Sequence, residues 1–212
     1  MTARQLAFAL ALPFALASQP QELWAQAKAQ KISKNLIKRA EKTVEEIKKT
    51  EKQLDKTVKK YNDLLKKKNV KDRQKEYKKL NDELKKTEKN VGELSKRNDE
   101  MRKEANKFFS EWSTGLAKIT DPPLQAAAKE NLDKTRSRFG EITTAANRAG
   151  EHYNKFLTDL KNQINYLGLD MSDDAMSKLK TSGQTTNADA KALFKSIDDL
   201  ADATKSYIKS LK

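Results

Sequence analysis

Apolar and small residues recur along this chain in alternating steps of three and four, which is the spacing of a heptad repeat. We call such a row a seam, because two positions in every seven meet on one narrow face of a helix. Between positions 37 and 65 a single polar residue, Glu51, interrupts the first seam. Its other members are Ile37, Ala40, Val44, Ile47, Leu54, Val58, Tyr61 and Leu65. The pattern predicts a long helix that packs as part of a coiled coil.

A second seam begins after the register slips. Continuing the first register past Leu65 would place Lys68 and Asp72 on the apolar face, which indicates that the chain turns before them. We expect the turn near Lys68–Val70, where Asn69 tolerates the left-handed backbone that ends many helices. With Thr87 and Asn98 in two of its slots, the second seam consists of Tyr77, Leu80, Leu84, Val91, Leu94, Met101, Ala105, Phe108 and Trp112.

Local start and stop signals predict a third helix. Asp121 suits the N-cap position and Pro122 the first helical position. Gly168 is expected to end the helix, while Gly140 and Gly150 inside it would serve where backbones approach closely. The third seam is Ala128, Leu132, Thr135, Phe139, Ile142, Ala146, Ala149, Tyr153, Phe156, Leu160 and Leu167.

A fourth helix should begin after the N-cap Ser172. Residues 180–188 carry helix-breaking Ser, Gly and Thr, but the register survives across them, so we predict one kinked, continuous helix. With Gly183 and Thr186 filling two slots, its seam is Met176, Leu179, Ala190, Leu193, Ile197, Leu200, Thr204, Tyr207 and Leu211. The fold class is therefore all-α: an elongated antiparallel bundle or coiled coil of four long helices in two hairpins.

The first residues differ from the rest. An apolar run from Leu6 to Ala17 is too short to span a bilayer and precedes a small-x-small cleavage pattern, Ala15-Leu16-Ala17. We interpret 1–17 as a signal peptide, with cleavage as late as position 27 left open, and an uncleaved interfacial helix as the alternative. The mature protein is then expected to be periplasmic or secreted, one elongated domain made of a basic hairpin, 28–119, and a near-neutral hairpin, 120–212.

The positive charge lies in the first half of the mature chain. Residues 28–107 hold 28 Lys and Arg against 15 Asp and Glu, whereas residues 108–212 hold 15 against 14. The density is highest around the first turn, where eight basic residues face two acidic ones. We name these eight as candidate anionic-surface-binding residues: Lys66, Lys67, Lys68, Lys71, Arg73, Lys75, Lys78 and Lys79.

The sequence shows no recognisable set of catalytic or metal-binding residues. The chain has no cysteine, and His152 is its one histidine, which leaves no second imidazole for a metal site. There is no glycine-rich phosphate loop. We therefore predict no catalytic residue, no cofactor and no metal, and a protein that is not an enzyme. The aromatic group Phe108, Phe109 and Trp112 is interpreted as closing the bundle where the third helix begins.

Parts of the second and third helices resemble a bacterial family known as domain of unknown function 2959. The resemblance is carried by Leu132, Thr135-Arg136, Arg138-Phe139, Ala146, Arg148-Ala149, Leu157, Leu160, Gln163 and Tyr166-Leu167, and upstream by Phe109 and Trp112. It extends more loosely from about Lys31 to Leu211, and implies an exported helical protein with no established activity. The first hairpin is richer in lysine than the resemblance leads us to expect, which suggests that the charge is particular to this protein.

Three readings of the function remain open. The first is a non-catalytic structural or scaffolding protein of the envelope that associates with anionic surfaces, membrane head groups or wall polymers, through the basic hairpin; a sharper version shapes membranes as a dimer. The second is sequence-nonspecific nucleic-acid binding through lysine contacts to the phosphate backbone. The export signal argues against it, and Tyr61 and Tyr77 lie on the seams, where they are poorly placed to stack on bases. A solvated spacer with no anionic ligand is a third reading. Partners are accordingly expected to be an anionic envelope surface or a protein, with a homodimer left open.

Overall fold

The structure is a computed structural model that describes residues 20–212, with side chains from residue 31 onward. Four α-helices account for nearly all of this part of the chain: α1 (Pro20–Leu65), α2 (Val70–Leu116), α3 (Pro122–Leu169) and α4 (Asp173–Leu211). The three longer helices hold 46, 47 and 48 residues, and at 1.5 Å per residue each is about 70 Å long. The predicted signal peptide, 1–17, lies outside the described residues.

Helices that follow one another in the chain lie side by side, and α1 also lies beside α4. Short connections force the antiparallel arrangement, so α1–α2 and α3–α4 form two hairpins that close into a bundle. The α1–α2 and α3–α4 turns meet at one end, whereas the α2–α3 turn lies at the other. The predicted all-α fold of four long helices is confirmed.

Three capping residues set where the helices begin. Asp121 and Ser172 cap α3 and α4, accepting hydrogen bonds from the backbone N–H groups of Leu124 and Ala175, as predicted. Asn69 plays the same part for α2, at φ −111° and ψ 151°. The expectation that Asn69 adopts a left-handed conformation is therefore wrong, because its side-chain oxygen is used to start a helix and not to end one.

The three glycines of α3 do not have the roles predicted for them. Helix α3 runs past Gly168 to Leu169, so Gly168 does not stop it. Instead, an added Cβ there would lie 3.0 Å from the hydroxyl oxygen of Tyr77. Gly140 and Gly150 have no neighbouring atom within 4 Å of an added Cβ, so no backbone approaches them closely.

Helix α4 continues unbroken through residues 180–188, which confirms the prediction of one continuous helix. The packing of Gly183 explains why this region is rich in small residues. An added Cβ at Gly183 would lie 2.8 Å from the hydroxyl oxygen of Tyr61 and 2.9 Å from Leu65 Cδ1. Three residues on, buried Thr186 accepts a hydrogen bond from Gln163 at 2.6 Å. The small residues let α1 approach α4 closely.

The core follows the seams, but α1 buries a wider face than its seam. A second buried row runs beside it at a strict spacing of seven: Leu36, Thr43, Thr50, Thr57 and Leu64. These residues face α2: the Thr50 hydroxyl donates to the carbonyl of Asn90 at 3.3 Å, and the Thr57 and Thr87 hydroxyls are 2.8 Å apart. Helix α1 needs two buried rows because it packs against both α2 and α4.

The end of the bundle opposite the two hairpin turns is closed by aromatic rings. Phe109, Phe139 and Tyr207, from three different helices, stack edge to face with centroids 5.9 and 5.4 Å apart. The Phe108 ring also contacts the rings of Phe109 and Trp112, with centroids 5.6 and 5.4 Å apart. The aromatic group packs against the bundle as interpreted, but its contact with α3 is at Phe139 and not where α3 begins, at Pro122.

Candidate anion-binding surface

The first turn of the chain presents the lysines to solvent at one end of the bundle. Residues 66–69 connect α1 to α2, and the first turns of α2 follow directly. We define the exposed tip lysines as the five candidates that are solvent-exposed and make no ion pair among the described residues: Lys66, Lys68, Lys71, Lys75 and Lys78. The other three candidates, Lys67, Arg73 and Lys79, are at least half buried.

Arg73 is not a surface cation, and its assignment to the anionic-surface set is wrong. Its side chain is 4% exposed, and its guanidinium donates hydrogen bonds to three carbonyls: those of Lys67 at 3.1 Å, Lys68 at 2.8 Å and Met171 at 2.7 Å. A fourth bond reaches the carboxylate of Asp173. A planar guanidinium with five N–H donors suits such a set of acceptors. Arg73 therefore holds the α1–α2 turn to the α3–α4 turn.

Lys79 is engaged by an acidic neighbour within the hairpin. Its ammonium group lies 2.7 Å from Glu76 Oε1, and Lys60 lies 3.7 Å from the other oxygen of the same carboxylate. The hydrogen bond from Lys79, together with the charges of Lys79, Lys60 and Lys67, holds the pKa of Glu76 below its ordinary value although the side chain is buried. This carboxylate offsets part of the charge of the hairpin.

The neighbouring turn contributes negative charge to the same end of the bundle. Asp170, Asp173 and Asp174 are exposed in and after the α3–α4 connection. Hydrogen bonds from the backbone N–H and hydroxyl of Ser172 hold the pKa of Asp170 below its ordinary value, and Asp174 pairs with Lys178 at 2.7 Å. The end of the bundle is thus half basic and half acidic, so its positive surface is confined to the α1–α2 side.

A second basic surface, which the sequence analysis did not single out, lies in the groove between α1 and α2. The groove has a volume of about 620 Å³. We define the lysine groove by the six lysines on its walls: Lys48, Lys49, Lys52, Lys56, Lys86 and Lys89. Gln53 and Asn90 also line it, and Glu45 is its one acidic lining residue. The sequence did contain a sign of this surface: Lys48, Lys52 and Lys56 are spaced four apart, which places three lysines on one stripe of α1.

His152, the one histidine, is held by neighbouring groups. Its Nδ1 lies 3.2 Å from the carbonyl oxygen of Ala192 and also contacts the Ser196 hydroxyl, and Ser196 is 2% exposed. A hydroxyl buried in this way cannot meet a substrate. Within residues 31–212, no group of three or more His, Cys, Asp or Glu side chains is arranged to hold a metal ion. No helix in the described part of the chain is long and apolar enough to cross a membrane.

The fold and surface define the protein as an antiparallel four-helix bundle with one strongly basic hairpin. The chain belongs to the family described as "Protein of unknown function (DUF2959)", whose model matches residues 26–211. The resemblance noted from the sequence is therefore confirmed over nearly the whole chain. Neither the curated proteins nor the solved structures gave a match.

Proposed function

We propose that this protein is a non-catalytic helical scaffold of the bacterial envelope that attaches to anionic surfaces through its basic α1–α2 hairpin. One observation carries the proposal: the charge is asymmetric, +13 over residues 28–107 against +1 over residues 108–212. The exposed tip lysines supply the most concentrated part of this charge. Lipid head groups and phosphate-bearing wall polymers are the anionic surfaces with matching chemistry.

The size of the charge is adequate for reversible attachment. Each lysine near an anionic membrane contributes about 1 kcal/mol, so the five exposed tip lysines would contribute about 5 kcal/mol. The aspartates of the adjacent turn subtract from this total. Because the lysines are exposed, attachment should weaken as salt shortens the range of the interaction to about 8 Å at physiological ionic strength.

The shape of the molecule suits a spacer. The two hairpin turns lie at one end, and the α2–α3 turn lies about 70 Å away at the other. Attachment at the tip would leave the far end free to hold a protein partner. The sharper version, in which a dimer shapes a membrane, requires the long basic side of the hairpin to lie flat on the bilayer.

Export is the second part of the proposal, and it rests on the sequence of residues 1–17. N-terminal sequencing of the mature protein tests it directly. A start near Ser18, or as late as Lys28, is expected, whereas a start at Thr2 would contradict export.

Cosedimentation with vesicles tests the attachment. Wild-type protein should pellet with vesicles that contain anionic lipid and remain in solution with neutral vesicles, at about 150 mM salt. Changing the five exposed tip lysines to glutamine should abolish pelleting. The matched control changes five exposed lysines of the second hairpin, with the same loss of charge: Lys129, Lys180, Lys191, Lys195 and Lys209.

The outcomes separate the competing functions. Equal pelleting with both kinds of vesicle, or none with either, would contradict attachment to anionic membranes and favour a solvated spacer. Equal losses in the tip and control variants would show that net charge, and not the tip, is responsible. Nucleic-acid binding has less support, because Tyr61 is 1% exposed and Tyr77 is half buried, which leaves neither ring available for base stacking.

A further inference from the structure

The lysine groove gathers six lysines around one acidic lining residue, Glu45. Some surface lysines form an ion pair with an acidic residue three or four positions away, as in Lys59–Asp55 at 2.7 Å and Lys205–Asp202 at 2.9 Å, and others, including the exposed tip lysines, form none within residues 31–212. In the groove, Lys49 and Lys86 form such pairs with Glu46 and Glu83. The other four lysines make no ion pair among the described residues: Lys48, Lys52, Lys56 and Lys89.

Three of these unpaired lysines repel one another. Lys48, Lys52 and Lys56 are spaced four apart on α1, and like charges at this spacing destabilise a helix. Lys89 faces them from α2 across the same groove. Repulsion along this stripe opposes folding, and an external anion bound in the groove would relieve it.

The groove has the shape of a trough. Lysines project from both walls, and the polar side chains of Gln53 and Asn90 lie between them. The amide of Gln53 is already used, donating to the carbonyl and carboxylate of Glu83 at 3.2 and 2.6 Å. From Lys48 to Lys56 the trough follows the helix axis for about 12 Å. Its positive charge therefore lies along a line and not at a point.

We propose that the lysine groove binds one linear, phosphate-bearing polymer that carries no nucleobases, and that this polymer lies lengthwise along the groove between α1 and α2. The proposal deepens the proposed function and rests on it for the anionic nature of the ligand. A flexible chain can follow the groove along the outer surface of the α1–α2 contact, between the lysines of the two helices, whereas a flat bilayer meets only the rims. Ammonium groups suit phosphates that present no fixed orientation, because lysine acts as a point charge.

Binding of fluorescently labelled inorganic polyphosphate, followed by anisotropy over a series of salt concentrations, tests the proposal. Each lysine that neutralises a phosphate of a single chain contributes about −0.7 to the slope of log K against log salt. Changing Lys48, Lys52, Lys56 and Lys89 to glutamine should therefore make the slope shallower by about 3 and lower the affinity by at least about tenfold. Circular dichroism should show an unchanged helical fold, since all four side chains are exposed.

The matched control changes Lys129, Lys180, Lys191 and Lys195 to glutamine, which removes the same charge from the second hairpin. It should leave the slope unchanged. An equal change in the control, no binding by the wild type, or loss of binding only in the tip variant would overturn the proposal. So would displacement of polyphosphate by single-stranded DNA at a lower concentration than by unlabelled polyphosphate, because nucleic acid would then be the occupant.

Vesicle cosedimentation on the same variants separates this inference from the proposed function. If the groove variant still pellets with anionic vesicles but no longer binds polyphosphate, both stand, with the tip and the groove serving different ligands. If the wild type binds polyphosphate through the groove but no anionic vesicle, membrane attachment fails and the groove stands. If the groove variant binds polyphosphate like the wild type, the groove fails whatever the vesicles show.

Discussion

Removing the Arg73 side chain should destabilise the whole bundle. Arg73 donates to three backbone carbonyls of two different turns, and it is almost fully buried. A hydrogen bond from a charged donor contributes at least about 1.5 kcal/mol, which gives about 4.5 kcal/mol for three. The carbonyls lie in surface turns and regain water when the guanidinium is removed. We therefore expect Arg73→Met to lower the free energy of unfolding by about 3 kcal/mol.

The ion pair with Asp173 should contribute far less. The Asp173 side chain is 87% exposed, so water screens the interaction and Asp173→Asn should cost less than about 1 kcal/mol. Arg73→Lys should fall between the two, because one ammonium group cannot reach three carbonyls in different directions.

Urea unfolding followed by circular dichroism measures these differences. For a chain of this length, a loss of about 3 kcal/mol should lower Tm by about 6–12 °C. The reasoning about the hydrogen bonds from buried Arg73 to the three carbonyls would be refuted by either of two results. The first is a free energy of unfolding for Arg73→Met within about 1 kcal/mol of the wild type. The second is a loss for Asp173→Asn as large as that for Arg73→Met.

Three further predictions concern helix packing and buried hydroxyls. Gly183→Ala should destabilise the protein by about 2 kcal/mol, because its Cβ would crowd the Tyr61 hydroxyl oxygen and Leu65 Cδ1. Gly150→Ala, with open space around the added Cβ, should stabilise it by up to about 1 kcal/mol; urea titrations compare the two. Tyr207→Phe should be neutral or stabilising, because the buried Tyr207 hydroxyl finds no hydrogen-bond partner among the described residues. Tyr61→Phe should lower the free energy of unfolding by about 1–3 kcal/mol, because it leaves the side-chain amide oxygen of Gln163 unpaired. A lower Tm for Tyr207→Phe than for Tyr61→Phe would contradict this. Burial raises the pKa of Tyr61 to about 12, so the folded state keeps a proton that the unfolded state loses above pH 10. The contribution of Tyr61 to stability should therefore be constant below pH 10 and fall from pH 10 to about 12. The loss of stability over this range, measured by urea unfolding, should be smaller in the Tyr61→Phe variant.

The sequence was sufficient for the helices and their seams, because heptad spacing and N-caps are local signals. It was not sufficient for the second buried row of α1. Thr43, Thr50 and Thr57 are polar by composition, and only a neighbour on a second side explains their burial. The spacing of seven between Leu36 and Leu64 was visible, but the threonines between them obscured it. A small β-branched residue whose hydroxyl bonds to a backbone carbonyl is compatible with a tight helix–helix contact.

The candidate site shows a similar limit. Net charge alone located the basic hairpin, since counting needs no structure. It could not separate Arg73, which donates to the carbonyl of Met171, 98 residues away, from the exposed lysines beside it. Nor could it show that Asp170 and Asp174 come to the same end of the molecule. Each of these outcomes depends on contacts between distant parts of the chain.

The unequal contacts between the hairpins determine how the bundle can open. Helices α1 and α4 contact each other more extensively than α2 and α3 do. Across the α2–α3 side, the contacts include Lys161–Glu88 at 2.6 Å and Arg136–Ser113 at 2.8 Å, both between exposed or half-buried side chains. We therefore expect a thermal fluctuation that separates the hairpins to begin on the α2–α3 side and to pivot about the α1–α4 contact. Arg73 holds the hairpins together at the tip and the Phe109–Phe139 contact holds α2 to α3 towards the other end, so we expect water to reach the core first between these two points.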